Sequence, residues 1–134
     1  MSKRSRALAV GLTSLMFVVA CFSASALASD TPERVIGLGV IAYGTVHTDD
    51  TGNIAKITGF NLGLGYSARF YRSEGGLQAE RFNGYWGWGT VALIIPYVEF
   101  GASYAFEVGK NNQLITIDLG LLYIVPYFGF SVYF

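Results

Sequence analysis

His47 is the one histidine in the chain, and Thr48, Asp49 and Asp50 follow it directly. A histidine beside a carboxylate, with a serine elsewhere, is the least that acyl transfer requires: the imidazole takes the hydroxyl proton and the carboxylate orients the ring. Ser73 and Glu74 offer a serine and a further carboxylate from a separate stretch. One His–Asp proximity carries little specificity, and the plainer reading is a solvated histidine beside turn-forming aspartates. A metal site has less support still. One His and two adjacent Asp are too few spaced ligands for zinc, and a calcium loop needs more oxygen donors in order. The glycines of "LGLGYSARF" (Leu62 to Phe70) fall inside an alternating run rather than at a strand–helix junction, so no phosphate or dinucleotide loop is expected. Neither a cofactor nor a metal is expected.

The elements that would position these residues follow an export signal. Lys3, Arg4 and Arg6 open the chain, Ala7 to Ala20 is an almost unbroken apolar run, and Ala26, Leu27 and Ala28 end a stretch of small residues. A charged region, an apolar region and an A-x-A site make a secretory signal peptide, with cleavage predicted after Ala28. The apolar run is shorter than the ~20 residues of a spanning helix, which argues against an N-terminal anchor. Val18, Val19, Ala20 and Cys21 also match a bacterial lipobox, in which the cysteine would be lipidated, although Phe22 fits poorly after it. Cleavage after Ala28 removes Cys21, the sole cysteine, so no disulfide is expected in an otherwise permissive compartment.

Residues 29–134 then form a single domain, 106 residues of the 134 in the chain. They carry six basic and nine acidic residues, a net charge of −3, so the balance of the full chain comes from its basic start. No basic patch remains, which removes nucleic acid as a partner. Charge is scarce, whereas glycine and aromatic residues are abundant, as in strands that face lipid.

The apolar residues of this domain alternate, which is the signal of a strand with one buried face. Phe60, Leu62, Leu64, Tyr66, Ala68 and Phe70 share one face, with Asn61, Gly63, Gly65, Ser67 and Arg69 on the other, in a run that shows no internal turn. Val98, Phe100, Ala102, Tyr104 and Phe106 alternate in the same way. Six strands are read, over 35–46, 57–71, 79–94, 97–107, 113–124 and 127–134. Loops are read at Asp49 to Asn53, Ser73 to Gly76 and Gly109 to Asn112. The apolar face sits at odd numbers before Pro126 and at even numbers after it, so a turn or bulge lies there.

The second face decides the fold class. A water-facing strand face should carry Lys, Glu, Thr and Gln. Here it carries Gly, Ser, Ala and Asn with a few charges, which suits the crowded interior of a narrow barrel whose bulky face looks outward. Arg69, Arg81, Glu99, Glu107 and Asp118 are read as interior charges that pair with one another. Trp86, Trp88 and Tyr85 of "GYWGWG" fit an interfacial aromatic girdle and fit core packing equally. Strands cross a membrane only as a closed barrel. The predicted class is therefore all-β, an antiparallel up-and-down membrane β-barrel of about 6–8 strands. Eight strands and their turns come to roughly 100 residues, which the domain just accommodates. Either two short strands are concealed in the long runs, with 77–95 the first place to look, or the barrel does not close in one chain; a truncated chain or a homo-oligomeric barrel fits as well.

"LGLGYSARF", "FGASYAF" and the paired Pro-Tyr strand starts of "IIPYVEF" and "IVPYFGF" resemble small Gram-negative outer-membrane β-barrels, over most of residues 29–134 in style. The closing "FGFSVYF" is similar to that family's C-terminal strand signal, with Phe128, Phe130, Val132 and Phe134 alternating to the end. The resemblance implies an outer-membrane location in a Gram-negative bacterium, contact with outer-membrane lipid, and recognition of those four residues by the barrel-assembly machinery. It implies a structural or interaction role without catalysis. Some barrels of this kind are lipid A acyltransferases or deacylases that use His with Ser and an acidic residue, which keeps His47, Ser73 and Glu74 as an alternative site, although their local motifs are missing here. A soluble periplasmic or secreted β-protein is the third reading.

Overall fold

The computed structural model describes residues 31–109 and 113–134. The stretch read as a signal peptide, with Cys21, lies outside the described residues. Eight antiparallel strands follow in order: β1 (Arg34–Leu38), β2 (Tyr43–Thr48), β3 (Ile54–Phe60), β4 (Tyr66–Tyr71), β5 (Phe82–Val91), β6 (Ile95–Val108), β7 (Gln113–Leu122) and β8 (Val125–Tyr133). Each pairs with its neighbour in sequence, and β8 pairs with β1, so the sheet closes within one chain. The predicted fold class holds, and eight strands replace the six read from the sequence.

The two extra strands are not in 77–95. They come from 35–46, which divides into β1 and β2 around residues 39–42, and from 57–71, which divides into β3 and β4 around residues 61–65. The second division was concealed by parity. Phe60 pairs with Tyr66, so the turn returns the chain with the even-numbered residues still on the outer face. Leu62 and Leu64, inside the turn, continue the alternation by number alone. At Pro126 the expected change of face does occur. Leu121 pairs with Pro126 across the two-residue link Tyr123–Ile124, which moves the outer face from odd to even numbers. Pro96 and Pro126 are each the second residue of a strand, directly after a tight turn.

The barrel has two different ends. At one end lie both termini of the barrel and the β2–β3, β4–β5 and β6–β7 loops. Here also is every exposed charged side chain among the described residues: Glu33, Arg34, Asp49, Asp50, Arg72, Glu74, Glu80, Arg81 and Glu107. The Asp49 carboxylate accepts bonds from the Thr51 and Asn53 amides at 2.9 Å and from the Thr51 hydroxyl at 2.7 Å, which shapes the β2–β3 loop. The long β4–β5 loop folds inward. Leu77 donates its amide to the Ile54 carbonyl at 2.8 Å and buries its side chain against Val35, Val46, Ile54, Ile57, Ala105 and Leu114, plugging that mouth. At the other end are the four tight turns that join β1–β2, β3–β4, β5–β6 and β7–β8, without a charged residue.

The wall is inverted relative to a water-soluble barrel. Phe60, Trp86, Trp88, Phe100, Leu119 and Phe128 stand exposed on the outside, whereas Arg69, Glu99 and Asp118 are buried inside. The seam is sealed by Phe134: the Glu33 and Arg34 amides donate to its carbonyl at 3.0 and 2.8 Å, and its amide donates to the Arg34 carbonyl at 2.9 Å. Deleting Phe134 removes these bonds at the one junction that sequence neighbours do not make. A loss of about 1.5–4.5 kcal/mol is expected for the three bonds, at roughly 0.5–1.5 kcal/mol each. It would be read as a lower urea midpoint in detergent, and a midpoint equal to wild type would refute this role for the seam.

Candidate functional site

The interior is built by rows of paired residues that run across neighbouring strands, in which a large polar side chain is followed by glycine. In the central row Arg69 on β4 pairs with Gly87 on β5, which pairs with Glu99 on β6. With no side chain at Gly87, Arg69 and Glu99 meet over its backbone. A Cβ there would stand 2.6 Å from Glu99 Oε1. Arg69 Nε and Nη2 donate to Glu99 Oε1 and Oε2, both at 3.1 Å, and Nη1 donates to Asp118 Oδ2 at 2.7 Å. One planar guanidinium thus serves two carboxylates on β6 and β7, with the forked geometry that lysine cannot supply.

The next row repeats the device. Tyr71 pairs with Tyr85, Tyr85 with Gly101, Gly101 with Gly120, and Gly120 with Tyr127. The Tyr85 side chain lies over the two glycines, where Cβ atoms would come within 2.5 and 2.7 Å of its hydroxyl, and reaches the Tyr127 hydroxyl. Its ring carries the Arg69 guanidinium 4.0 Å from the ring centre, a buried cation–π contact. Tyr127 donates to Glu99 Oε2 at 2.6 Å and accepts from Arg69 Nη2 at 3.2 Å. In a third row Ser67 pairs with Gly89 and Gly89 with Tyr97, and the Ser67 and Tyr97 hydroxyls bond above the glycine. Asn61 joins them, donating to Ser67 Oγ at 2.9 Å. Tyr71 and Tyr133 bond at 2.8 Å below the charged layer.

This network fills the barrel. Arg69 and Glu99 are 1% and 0% exposed, so the interior is a packed polar core and not an open channel. Among the described residues a shallow cavity lies at each mouth. Val40, Leu62, Val91, Leu122, Val125 and Phe128 line that of the turn end, about 290 Å³. Asn53, Gln78 and Glu107 contribute to that of the charged end, about 300 Å³. Among the described residues no three His, Cys, Asp or Glu side chains are grouped so as to hold a metal ion.

The residues singled out for catalysis lie elsewhere. His47 is exposed near the end of β2, and its Nε2 is 2.8 Å from Thr58 Oγ1 on β3. Asp49 is engaged with Thr51 and Asn53, hydrogen bonds that hold its carboxyl below the usual carboxylate range. Ser73 and Glu74 belong to the β4–β5 loop, where their carbonyls accept from the Gly76 amide and from Gln78 Nε2. Of the five charges expected inside, Arg69, Glu99 and Asp118 are there. Arg81 and Glu107 are exposed at the charged end, because β5 starts only at Phe82 and Glu107 lies next to the end of β6; Arg81 donates to Gln78 at 2.6 Å. Trp86 and Trp88 stand on the outer wall, Trp86 stacked on Phe70, but Tyr85 points inward and is not part of a girdle. The inward orientation of Tyr85, Tyr97 and Tyr127 went unrecognised in the sequence. Their signal was the parity they share with small and charged residues, Tyr97 with Glu99 and Gly101, and Tyr127 with Gly129 and Ser131.

Compared with family models, curated proteins and solved structures, the chain matches none. Its class is therefore the one that fold and site define together: a closed, eight-stranded up-and-down β-barrel with an ionic core and an apolar outer wall.

Replacing Arg69 with Leu leaves Glu99 and Asp118 buried without their cation, at an expected cost of about 3–5 kcal/mol. Combining Arg69→Leu with Glu99→Gln and Asp118→Asn removes the stranded charges and should recover most of that loss. Urea unfolding of the three proteins in detergent checks the pattern, and a single variant as stable as wild type contradicts it.

Proposed function

We propose that this chain is an outer-membrane β-barrel protein of a Gram-negative envelope, with a structural or interaction role and no catalytic one. The observation that carries the reading is the inverted wall: buried Arg69, Glu99 and Asp118 inside, and exposed Phe100, Leu119, Trp88 and Phe128 outside. An outer surface of that kind is unfavourable in water and favourable against acyl chains. Closure supports it as well, since a sheet in hydrocarbon must leave no unpaired edge. On this reading outer-membrane lipid is the partner of the wall. Phe128, Phe130 and Val132 of β8, with Phe134 just after it, form the signal taken up by the barrel-assembly machinery, and the charged loops are the surface offered to other envelope components.

The acyltransferase alternative draws no support from the site. His47 is directed to Thr58, and its neighbour Asp49 is committed to its own loop.

Cell fractionation tests the proposal. The protein should remain in the outer-membrane pellet after a carbonate wash and should migrate faster on a gel unheated than boiled, because a closed barrel resists detergent until heated. Release into the soluble periplasmic fraction would overturn it.

A further inference from the structure

We propose that the turn-bearing mouth of the barrel is immersed in hydrocarbon, so that only the charged mouth meets water. The inference rests on the membrane reading above and goes beyond it, because an ordinary spanning barrel has loops in water at both ends.

The four turns carry the argument. Leu38, Leu62, Leu64, Leu93, Ile94 and Ile124 are exposed there, Ile124 at 89% and Leu64 at 83%. No charged residue accompanies them. Water-facing turns are built from Gly, Asn, Asp and Ser.

Backbone strain points the same way. Ala92 and Leu93, the central residues of the β5–β6 hairpin, have φ of +50° and +61°, and the Ile94 amide closes the turn on the Val91 carbonyl at 3.1 Å. A hairpin with positive φ at both positions is normally Asn-Gly. Leu64 (+55°) and Tyr123 (+57°) hold the same conformation in two further turns. At the charged end Gly52, Gly75, Gly76 and Gly109 occupy such positions, with Glu80 the exception. Each bulky residue in this region costs stability that glycine would not. The turn end accepts that cost and so keeps its side chains apolar, a choice with no benefit in water and a direct one in lipid.

Some polar groups of the turns are also paired. The Ala92 amide donates to the Gly63 carbonyl at 2.7 Å, linking two turns, and the Tyr123 amide donates to the Val98 carbonyl at 3.0 Å. The Tyr123 hydroxyl donates to the Pro96 carbonyl. Asn61, the polar side chain of the β3–β4 turn, accepts from the Gly65 amide and donates to the Thr90 carbonyl. Each such pair lowers the cost of holding that backbone in hydrocarbon. The turns are continuous with the outer wall through Ile95, Val125 and Phe128, and the residues exposed at the rim besides these include Tyr43, Tyr66 and Tyr123 but no charged side chain. The small cavity at this mouth therefore opens on acyl chains.

Site-directed spin labelling in phosphatidylcholine vesicles tests this, with the full chain carrying Cys21→Ser and one of Ile124→Cys, Phe100→Cys or Asp50→Cys. The label at position 124 should collide with oxygen several-fold more than with a water-soluble nickel chelate, as at position 100 on the wall, and the ratio should reverse at position 50. A label at 124 that meets the chelate as the one at 50 does, while that at 100 does not, overturns this inference alone. A label at 124 shielded from both reagents means that a second copy or another protein covers the mouth, which also overturns it. Chelate access at position 100 defeats the membrane reading itself. A second variant, Ala92→Asn with Leu93→Gly, relieves the strained turn. It should be at least as stable in detergent yet insert into vesicles several-fold less; undiminished insertion refutes the proposal.

Discussion

The buried contact of Arg69 with Glu99 and Asp118 is the constraint around which the barrel is arranged. Two carboxylates and a guanidinium lose their hydration when the sheet closes, and only close, correctly directed partners compensate for it. Those partners come from β4, β6 and β7, so the contact forms in one register of the sheet. Slipping a strand by one residue would turn a charge outward onto the apolar wall and bring a phenylalanine or leucine inward. The glycines follow from the same requirement. Gly87 must be bare for Arg69 to reach Glu99, and Gly101 and Gly120 must be bare for the Tyr85 ring to lie beneath the guanidinium. The small-residue inner face is thus the space into which a few large polar side chains fold.

The layers of the interior are ordered along the barrel. Near the charged mouth the filling is apolar, with Leu77 from the β4–β5 loop set among Val35, Ile54, Ile57 and Leu114. The ionic layer lies further in, and the Asn61, Ser67 and Tyr97 hydrogen bonds lie beyond it, towards the turns. An apolar plug at the charged mouth separates the ion cluster from solvent on that side and protects its hydrogen bonds from competition. A channel would require the opposite, polar groups lining an open path.

Much of the fold was legible in the sequence. Alternation in Val98 to Phe106 and in Phe128 to Phe134 identified strands, and the change of face near Pro126 located a hairpin. The poverty of charge on the second face identified a barrel turned inside out, and Arg69, Glu99 and Asp118 were recognised as its interior charges. The strand count was not legible, for a specific reason. The Asn61–Gly65 turn keeps the same parity on both sides, and Leu62 and Leu64 within it continue the apolar alternation, so Phe60 to Phe70 reads as one strand despite its Asn and Gly.

The sequence by itself determined which residues can face which way, because side chains of a strand alternate and each face must suit its surroundings. It determined in this way an all-β chain with a bulky outer face and a small, sparsely charged inner one. Only the tertiary structure decided which inner residues meet. Arg69 and Asp118 are 49 positions apart, and their contact depends on three strand registers that no local pattern records. It also decided that Tyr85 faces Arg69 instead of the outer wall with its Trp86 neighbour, and that β1 joins β8, since closure is a property of the whole ring of strands and of no segment within it.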